Sequence, residues 1–315
     1  YDILYPKVNG QYAPYVADDN LSVSAVYQIP KEEFESEEGK ESPKEHSFNS
    51  NNEIKTALTL KDEIQNNTIW CGTFQLIWND LKNDLAKQDI TFTPQKQIVK
   101  NLNEETFTTK DISEKYYYKR VGTPSIQLKE EIEKAIKEKF NEKSEILDGF
   151  DWNKKSKEDY FLYVMLKKEF QFKKEFAELE DGNFGNYENV KYFGIRKDNK
   201  NAELRNQVEV LYYNSKDDFA IKLKTKEGDE IILYRTDDKK SFDEYYEDIK
   251  AKTKNYKGRT EFSEDDELRV PYVKVNGMIN YNQLYDKKIK NSKGLYIYDV
   301  IQNVNFNLNE KGCNL

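Results

Sequence analysis

Tyr160-Phe161-Leu162-Tyr163-Val164-Met165-Leu166-Lys167-Lys168-Glu169-Phe170 is the stretch on which the reading of this chain turns. From Tyr160 to Leu166 every residue is apolar or aromatic, and the run has the length of a strand. A strand half-exposed on a sheet alternates apolar and polar residues, whereas one covered on both faces reads as a continuous apolar run. The expected element is therefore a central strand. A helix built from the same residues stays open, because periodicity alone does not separate the two over so short a run.

Working outward toward the C-terminus, strands dominate. Val208–Tyr213, Phe219–Leu223 and Ile231–Tyr234 are separated by Asn214-Ser215 and Glu227-Gly228-Asp229, which are turn residues, and predict an antiparallel meander. A short helix is expected over 241–253, with Phe242, Tyr245, Tyr246 and Ile249 on one side. Leu268 to Val275 reads as a strand whose Pro271 demands an edge or a bulge. Tyr296–Ile301 is another strand, and Val304-Asn305-Phe306-Asn307-Leu308 alternates strictly.

Toward the N-terminus, Leu128, Ile132, Ala135, Ile136 and Phe140 form one stripe of a helix, with Glu130–Lys134 and Glu133–Lys137 as i,i+4 pairs opposite and Gly149 ending the region. Phe74, Ile77, Trp78, Leu81 and Leu85 recur at helical spacing, with Asn67 or Thr68 as the expected cap. Residues 90–122 fit no clear element and contain the cluster Tyr116-Tyr117-Tyr118. Residues 31–55 are Glu, Ser, Lys and Asn, with little to bury, and read as an exposed loop. Within residues 1–30, Leu21-Ser22-Val23-Ser24-Ala25-Val26-Tyr27 alternates like a half-buried strand. The expected organisation is an irregular segment over 1–60 and one domain over 61–315.

Composition narrows the function. The mean hydropathy is -0.96, which by itself points to disorder, but 23 tyrosines and 17 phenylalanines supply large rings for a core. The 58 acidic and 50 basic residues are interleaved with no long basic block, so the electrostatic footprint of a nucleic-acid partner, and such a partner, are not expected. No apolar run approaches the ~18–20 residues of a transmembrane helix.

Candidate chemistry is sparse. Cys71, in Trp70-Cys71-Gly72-Thr73-Phe74, sits at the head of a helix, where a thiol is acidified. A cysteine nucleophile also needs a base, and the only histidine, His46, precedes it in the polar loop. Core packing is the expectation for Cys71, and solvent exposure for His46. Cys71 and Cys313 are too few for a disulfide framework or a cysteine-rich metal site. Asp181-Gly182-Asn183-Phe184-Gly185 begins like a calcium loop, but Tyr192 occupies the position of the terminal Glu. Asp265-Asp266-Glu267 reads as a solvated acidic run, with acid/base carboxylates as the alternative. No phosphate-binding glycine loop is present. Catalytic residues, metal ligands and cofactors are all expected to be none, which makes a non-enzymatic protein the leading reading.

Several fragments in order carry a resemblance. Phe161–Phe170, followed by Phe176, looks like a long central-sheet strand ending in Phe-Lys-type residues. Val190-Lys191-Tyr192-Phe193, Gln207–Tyr213 and Leu268-Arg269-Val270-Pro271-Tyr272-Val273 follow, and Asp299 to Gly312 closes on Asn309-Glu310-Lys311-Gly312. In this order, over roughly 128–312, the chain resembles the serpin family. The resemblance implies an α+β fold with a large mixed central sheet, a second antiparallel sheet or meander, and helices packed around them. It makes Glu310, Gly312, Cys313 and Leu315 the hinge of a reactive loop following Leu315. It also implies an extracytoplasmic setting, secreted or surface-anchored, and a protein partner, by default a peptidase. Gly312 is followed by Cys313-Asn314-Leu315 rather than by a run of small residues, which weighs against loop insertion, since overpacking a sheet interior costs about 1–3 kcal/mol per site. Two alternatives stand beside an inhibitor: a binding module of the same fold without inhibitory activity, for which Tyr116, Tyr117 and Tyr118 form a candidate contact patch, and a carboxylate-based hydrolase.

Overall fold

Phe161–Leu166 is a strand, and both of its faces are covered as its apolar run requires. Val164 and Leu166 point into the main core, while Phe161, Tyr163 and Met165 pack against a second cluster built from helices. The structure, a computed structural model, describes residues 54–64, 67–152, 159–185, 187–281, 283–284, 287–290, 292, 294–297 and 300–314, with short strands at 7–8, 11–12 and 24–25. His46 lies outside the described residues, as do Leu315 and most of the 31–55 loop.

In chain order, β1 (Lys7–Val8) and β2 (Gln11–Tyr12) pair with each other, and β3 (Ser24–Ala25) joins a larger sheet. β4 (Ile54–Ala57) and β5 (Asn67–Trp70) form a parallel pair. α1 (Thr73–Asp80) continues into a π-helical turn over Leu81–Ala86, and α2 is Gln97–Asn103. β6 (Tyr117–Gly122), α3 (Ile126–Phe140) and α4 (Glu145–Gly149) precede β7 (Phe161–Leu166) and β8 (Glu169–Gln171). β9 (Ala177–Phe184) and β10 (Tyr187–Ile195) form a hairpin, followed by α5 (Ala202–Asn206). The meander is β11 (Val208–Ser215), β12 (Asp218–Lys224) and β13 (Glu230–Arg235), antiparallel throughout, and α6 (Phe242–Asn255) follows it. The chain then runs through β14 (Leu268–Pro271), β15 (Val273–Asn280), β16 (Lys287–Lys288), β17 (Tyr296–Ile297), β18 (Ile301–Asn309) and β19 (Gly312–Asn314).

The fold is α+β, with helices packed around several sheets. The central assembly comprises two antiparallel sets, β15-β18-β19-β8 and β3-β7-β6, which adjoin where β7 runs on toward β8 and β3 lies beside β18. β19 is antiparallel to both β18 and β8, so β18 and β8 run parallel with one strand between them. Pro271 ends β14, an edge strand paired with β10, and after Tyr272 the chain passes into β15 of the central sheet. The proline thus marks a switch between sheets, where its missing N–H costs no ladder bond.

Local chemistry accounts for the helices. Ser125 Oγ accepts from Leu128 N at 3.1 Å to cap α3, and Asn141 closes it in the left-handed conformation. Leu128, Ile132, Ile136 and Phe140 are buried along α3, whereas Ala135 is half-buried. The ion pairs along α3 are Lys129–Glu133 and Lys134–Glu138, a shift from the expected partners that reverses their order. Ser241 and Glu244 make a capping box for α6. Asn67 and Thr68 correct the sequence reading: they do not cap α1 but lie buried in β5, and Asn67 Nδ2 donates to Tyr187 Oη at 3.0 Å. The apolar pair Ile69-Trp70 draws them into a strand, and the helix starts only after Gly72.

One face of the meander packs in the main core and the other under α6. Beneath α6, Lys252 Nζ lies 2.9 Å from Asp218 Oδ1 and 3.1 Å from Asp248 Oδ2, and the hydroxyls of Tyr212 and Tyr234 donate to the same two carboxylates at 2.8 and 2.6 Å. Burial opposes ionisation of Asp218 and Asp248, but bonds from Lys252 and the tyrosines outweigh it and hold both carboxyls below the ordinary aspartate range. Groups depressed in the folded state stabilise above their unfolded pKa, near 3.9, and lose that contribution as pH falls through the folded value. A Lys252→Met variant is expected to lose most stability near neutral pH, with the gap to the parent closing as pH drops below about 4, read from urea unfolding at several pH values. In the main core, Phe193 is fully buried among Phe172, Phe176 and Tyr272. Phe193→Ala is expected to cost about 3–5 kcal/mol in the same assay.

Candidate functional site at the strand hinge

Alternation in β18 sets up the hinge. Val304, Phe306 and Leu308 face inward and are buried, and the chain then turns at Glu310-Lys311 to return as β19. Asn309 Oδ1 accepts from Lys311 N at 2.9 Å and from Gly312 N at 3.3 Å, an Asx turn that reverses the chain. The turn is anchored from the other side, because Phe172 N donates to Lys311 O at 2.9 Å and Phe176 N to Glu310 O at 3.0 Å.

Three of the four hinge residues expected from sequence are described, and they come together here. Cys313 lies opposite Leu308 on one side and Phe170 on the other, so these three residues form one buried row across β18, β19 and β8. Burial pushes the Cys313 thiol far above its ordinary value. Gly312 has φ +154°, and a Cβ there would lie 1.8 Å from the Phe170 carbonyl oxygen. Only glycine lets β19 approach β8 this closely. Glu310 accepts a 2.5 Å hydrogen bond from Tyr272 Oη, and burial together with this carboxylate raises the Tyr272 phenol well above its usual value. Glu310 also borders a polar groove of about 350 Å³ that includes Asp181, Lys191, Lys274 and Asn309. Leu315 lies outside the described residues.

Beside the hinge is a residue the sequence reading passed over. Lys168, 2% exposed, ion-pairs with Asp229, and its Nζ lies 4.2 Å from the Tyr116 ring centre and 4.7 Å from that of Phe170. Asp229 belongs to the β12–β13 turn, which docks on the sheet through Lys226 N to Gln171 O at 2.8 Å. The second of two lysines following a doubly covered strand is the only sequence signal, and it resembles the exposed lysines that end many strands.

The tyrosine cluster divides. Tyr116, Tyr117 and Tyr118 are all half-buried; Tyr116 and Tyr117 pack on the main core, while Tyr118 packs on the helical cluster 6.5 Å from Tyr163. Neighbouring residues of a strand face opposite ways, so Tyr117 and Tyr118 share no single surface. Cys71 is buried ahead of α1. Asp266 takes both oxygens to Arg259 at 2.8–3.0 Å and accepts from Ser263 N at 2.7 Å, which is loop-building work. Among the described residues, no cluster of three or more His, Cys, Asp or Glu could hold a metal, and no helix is long and apolar enough to cross a membrane. Chemically, the hinge offers strand pairing: backbone groups and a buried row, with no nucleophile–base pair in it.

Gly312→Ala is expected to force β19 off β8. In a Cys71→Ser background, the rate of Cys313 modification by a thiol reagent should rise at least about tenfold, the equivalent of ~1.4 kcal/mol of easier local opening. Unchanged Cys313 protection would show that the close approach is not what seats β19.

No protein-family model matches the chain, and no curated protein matches it by sequence. Solved structures with a similar arrangement include that of the viral serpin CrmA, at 9% identity over 76% of this chain and 95% of that one, with a TM-score of 0.41. The myxomaviral serine protease inhibitor 1 is 12% identical over 64% of this chain and 80% of its own, with a TM-score of 0.35. A highly specific serpin of the insect Tenebrio molitor is 12% identical over 69% of this chain and 61% of its own, with a TM-score of 0.34. These three solved structures are all of serpins.

Proposed function

We propose that the protein is a serpin-like, non-enzymatic protein that acts through the segment following β19, with a peptidase as the partner. One observation carries the reading. Residues 312–314 leave β18 through a tight turn and already lie as a strand between β18 and β8. A chain emerging at that point has a lane in the sheet before it, where its backbone N–H and C=O groups find partners on both sides. Strand addition of this kind gives affinity through the main chain and specificity through alternate side chains. An exposed segment cut by a peptidase and then drawn into that lane converts cleavage into newly paired backbone. An extracytoplasmic setting goes with this reading, and the burial of both free thiols suits it.

The seated hinge favours a second reading, in which the same fold binds a partner without inhibiting it. With Gly312, Cys313 and Asn314 already in the sheet, less of the lane is left to reward insertion.

The test is to incubate the full-length protein with a panel of serine and cysteine peptidases. A peptidase complex that survives boiling in detergent, together with a rise in melting temperature after cleavage beyond Leu315, is the result expected of an inhibitor. Cleavage that leaves both the melting temperature and the peptidase unchanged would overturn inhibition and leave the binding module.

A further inference from the structure

The lane between β18 and the β7–β8 strand is held at both ends by the same polypeptide. At one end β19 pairs with β8, with Gly312 opposite Gln171, Cys313 opposite Phe170 and Asn314 opposite Glu169. At the other end β3 pairs with β7, with Ser24 opposite Val164 and Ala25 opposite Tyr163, and β3 also lies beside β18. Both short strands are antiparallel to β7–β8, so they point the same way and stand in line in one lane. A strand continuing in register from Asn314 would pass Lys168, Lys167, Leu166 and Met165 and then meet Ser24.

We infer that the N-terminal strand is a built-in stop: β3 occupies the far end of the lane and sets how far any strand following Asn314 can advance. The chemistry of the lane selects such an occupant. Val164 and Tyr163 are both 1% exposed, one facing the main core and the other the α3–α4 cluster, so β7 is covered on both faces at this end of the lane. Bulky side chains there overpack the sheet. Ser24 and Ala25, the residues paired with Val164 and Tyr163, are both small. α1 lies close to both β3 and β7, so the stop rests on a buried helix. The inference rests on the proposed strand-insertion role only for what is being stopped, and the pairing itself is independent of any peptidase.

The full chain carrying Ser24→Cys and Val164→Cys, with Cys71 and Cys313 changed to Ser, tests the pairing. Antiparallel partners bring Cα atoms to about 4.5–5.5 Å, within disulfide reach. Mild oxidation should link residues 24 and 164 within one molecule, read by mass spectrometry of a non-reduced digest; a chain that stays reduced, while Lys119→Cys with Val164→Cys on β6 and β7 cross-links, would overturn the inference. The occupancy test adds a synthetic peptide of residues 20–27 to the parent and to Ser24→Pro, since proline is not accommodated in a central strand. The variant is expected to bind the peptide at least about tenfold more tightly than the parent, by titration calorimetry. Equal binding to both would mean that β3 does not hold the lane. If Ser24→Pro fails to fold by circular dichroism, the cross-link decides alone. A chain that cross-links but inhibits no peptidase keeps the stop and loses only the inhibitory role.

Discussion

The close packing of β19 against β8 at Gly312 is the constraint on which the rest of the central sheet depends. A backbone that approaches a neighbouring carbonyl so nearly allows no side chain, and the residues on either side inherit their positions from it. Leu308, Cys313 and Phe170 align because that approach is made, and the row they form ties β18 to β8. Tyr272, reaching from the sheet switch after Pro271, holds Glu310 and thereby the turn that presents Gly312. The hinge is thus over-determined from three directions: the Asx turn of Asn309, the backbone donors of Phe172 and Phe176, and the phenol of Tyr272.

Burial on both faces is the second organising fact, and it follows from composition. A chain with few methionines and many rings fills space with flat, rigid groups, and these pack edge to face, as Trp70 does on Phe107 and Phe193 on Tyr272. Their polar tips must then find partners. Tyr212 and Tyr234 find Asp218 and Asp248, and the buried Tyr281 hydroxyl finds Gln302 of β18. Hydroxyl–carboxylate contacts accordingly close α6 over the meander and fix the turn after β18.

Much of this was legible in the sequence. The continuous run at 160–166, the meander, α3, α6 and the alternation of β18 each follow from a local pattern with a single physical reading, and the order of those fragments carried the resemblance. What was not legible depends on residues far apart in the chain. Asn67 and Thr68 look like helix caps because a helix follows them closely; pairing with β4 makes them strand. Tyr116, Tyr117 and Tyr118 look like a surface patch because they are adjacent, but Tyr116 and Tyr117 pack on the main core while strand geometry sends Tyr118 to the opposite face. Lys168 could not be told from an ordinary strand-ending lysine, since its partner, Asp229, lies in a turn of the meander. The turn after β18 was readable from Asn309-Glu310-Lys311-Gly312, while its contact with Tyr272 was not, because that contact is made only when two sheets meet.

The tether between Lys168 and Asp229 has a mechanical consequence. Parting a buried ion pair by removing one member costs on the order of 3–5 kcal/mol, because the other is left charged and out of water. The ammonium sits at the β7–β8 junction and the carboxylate in the turn that caps β12 and β13, so the pair keys two layers of the molecule together. Any widening of the central sheet at that level must therefore either carry the meander along or part the pair.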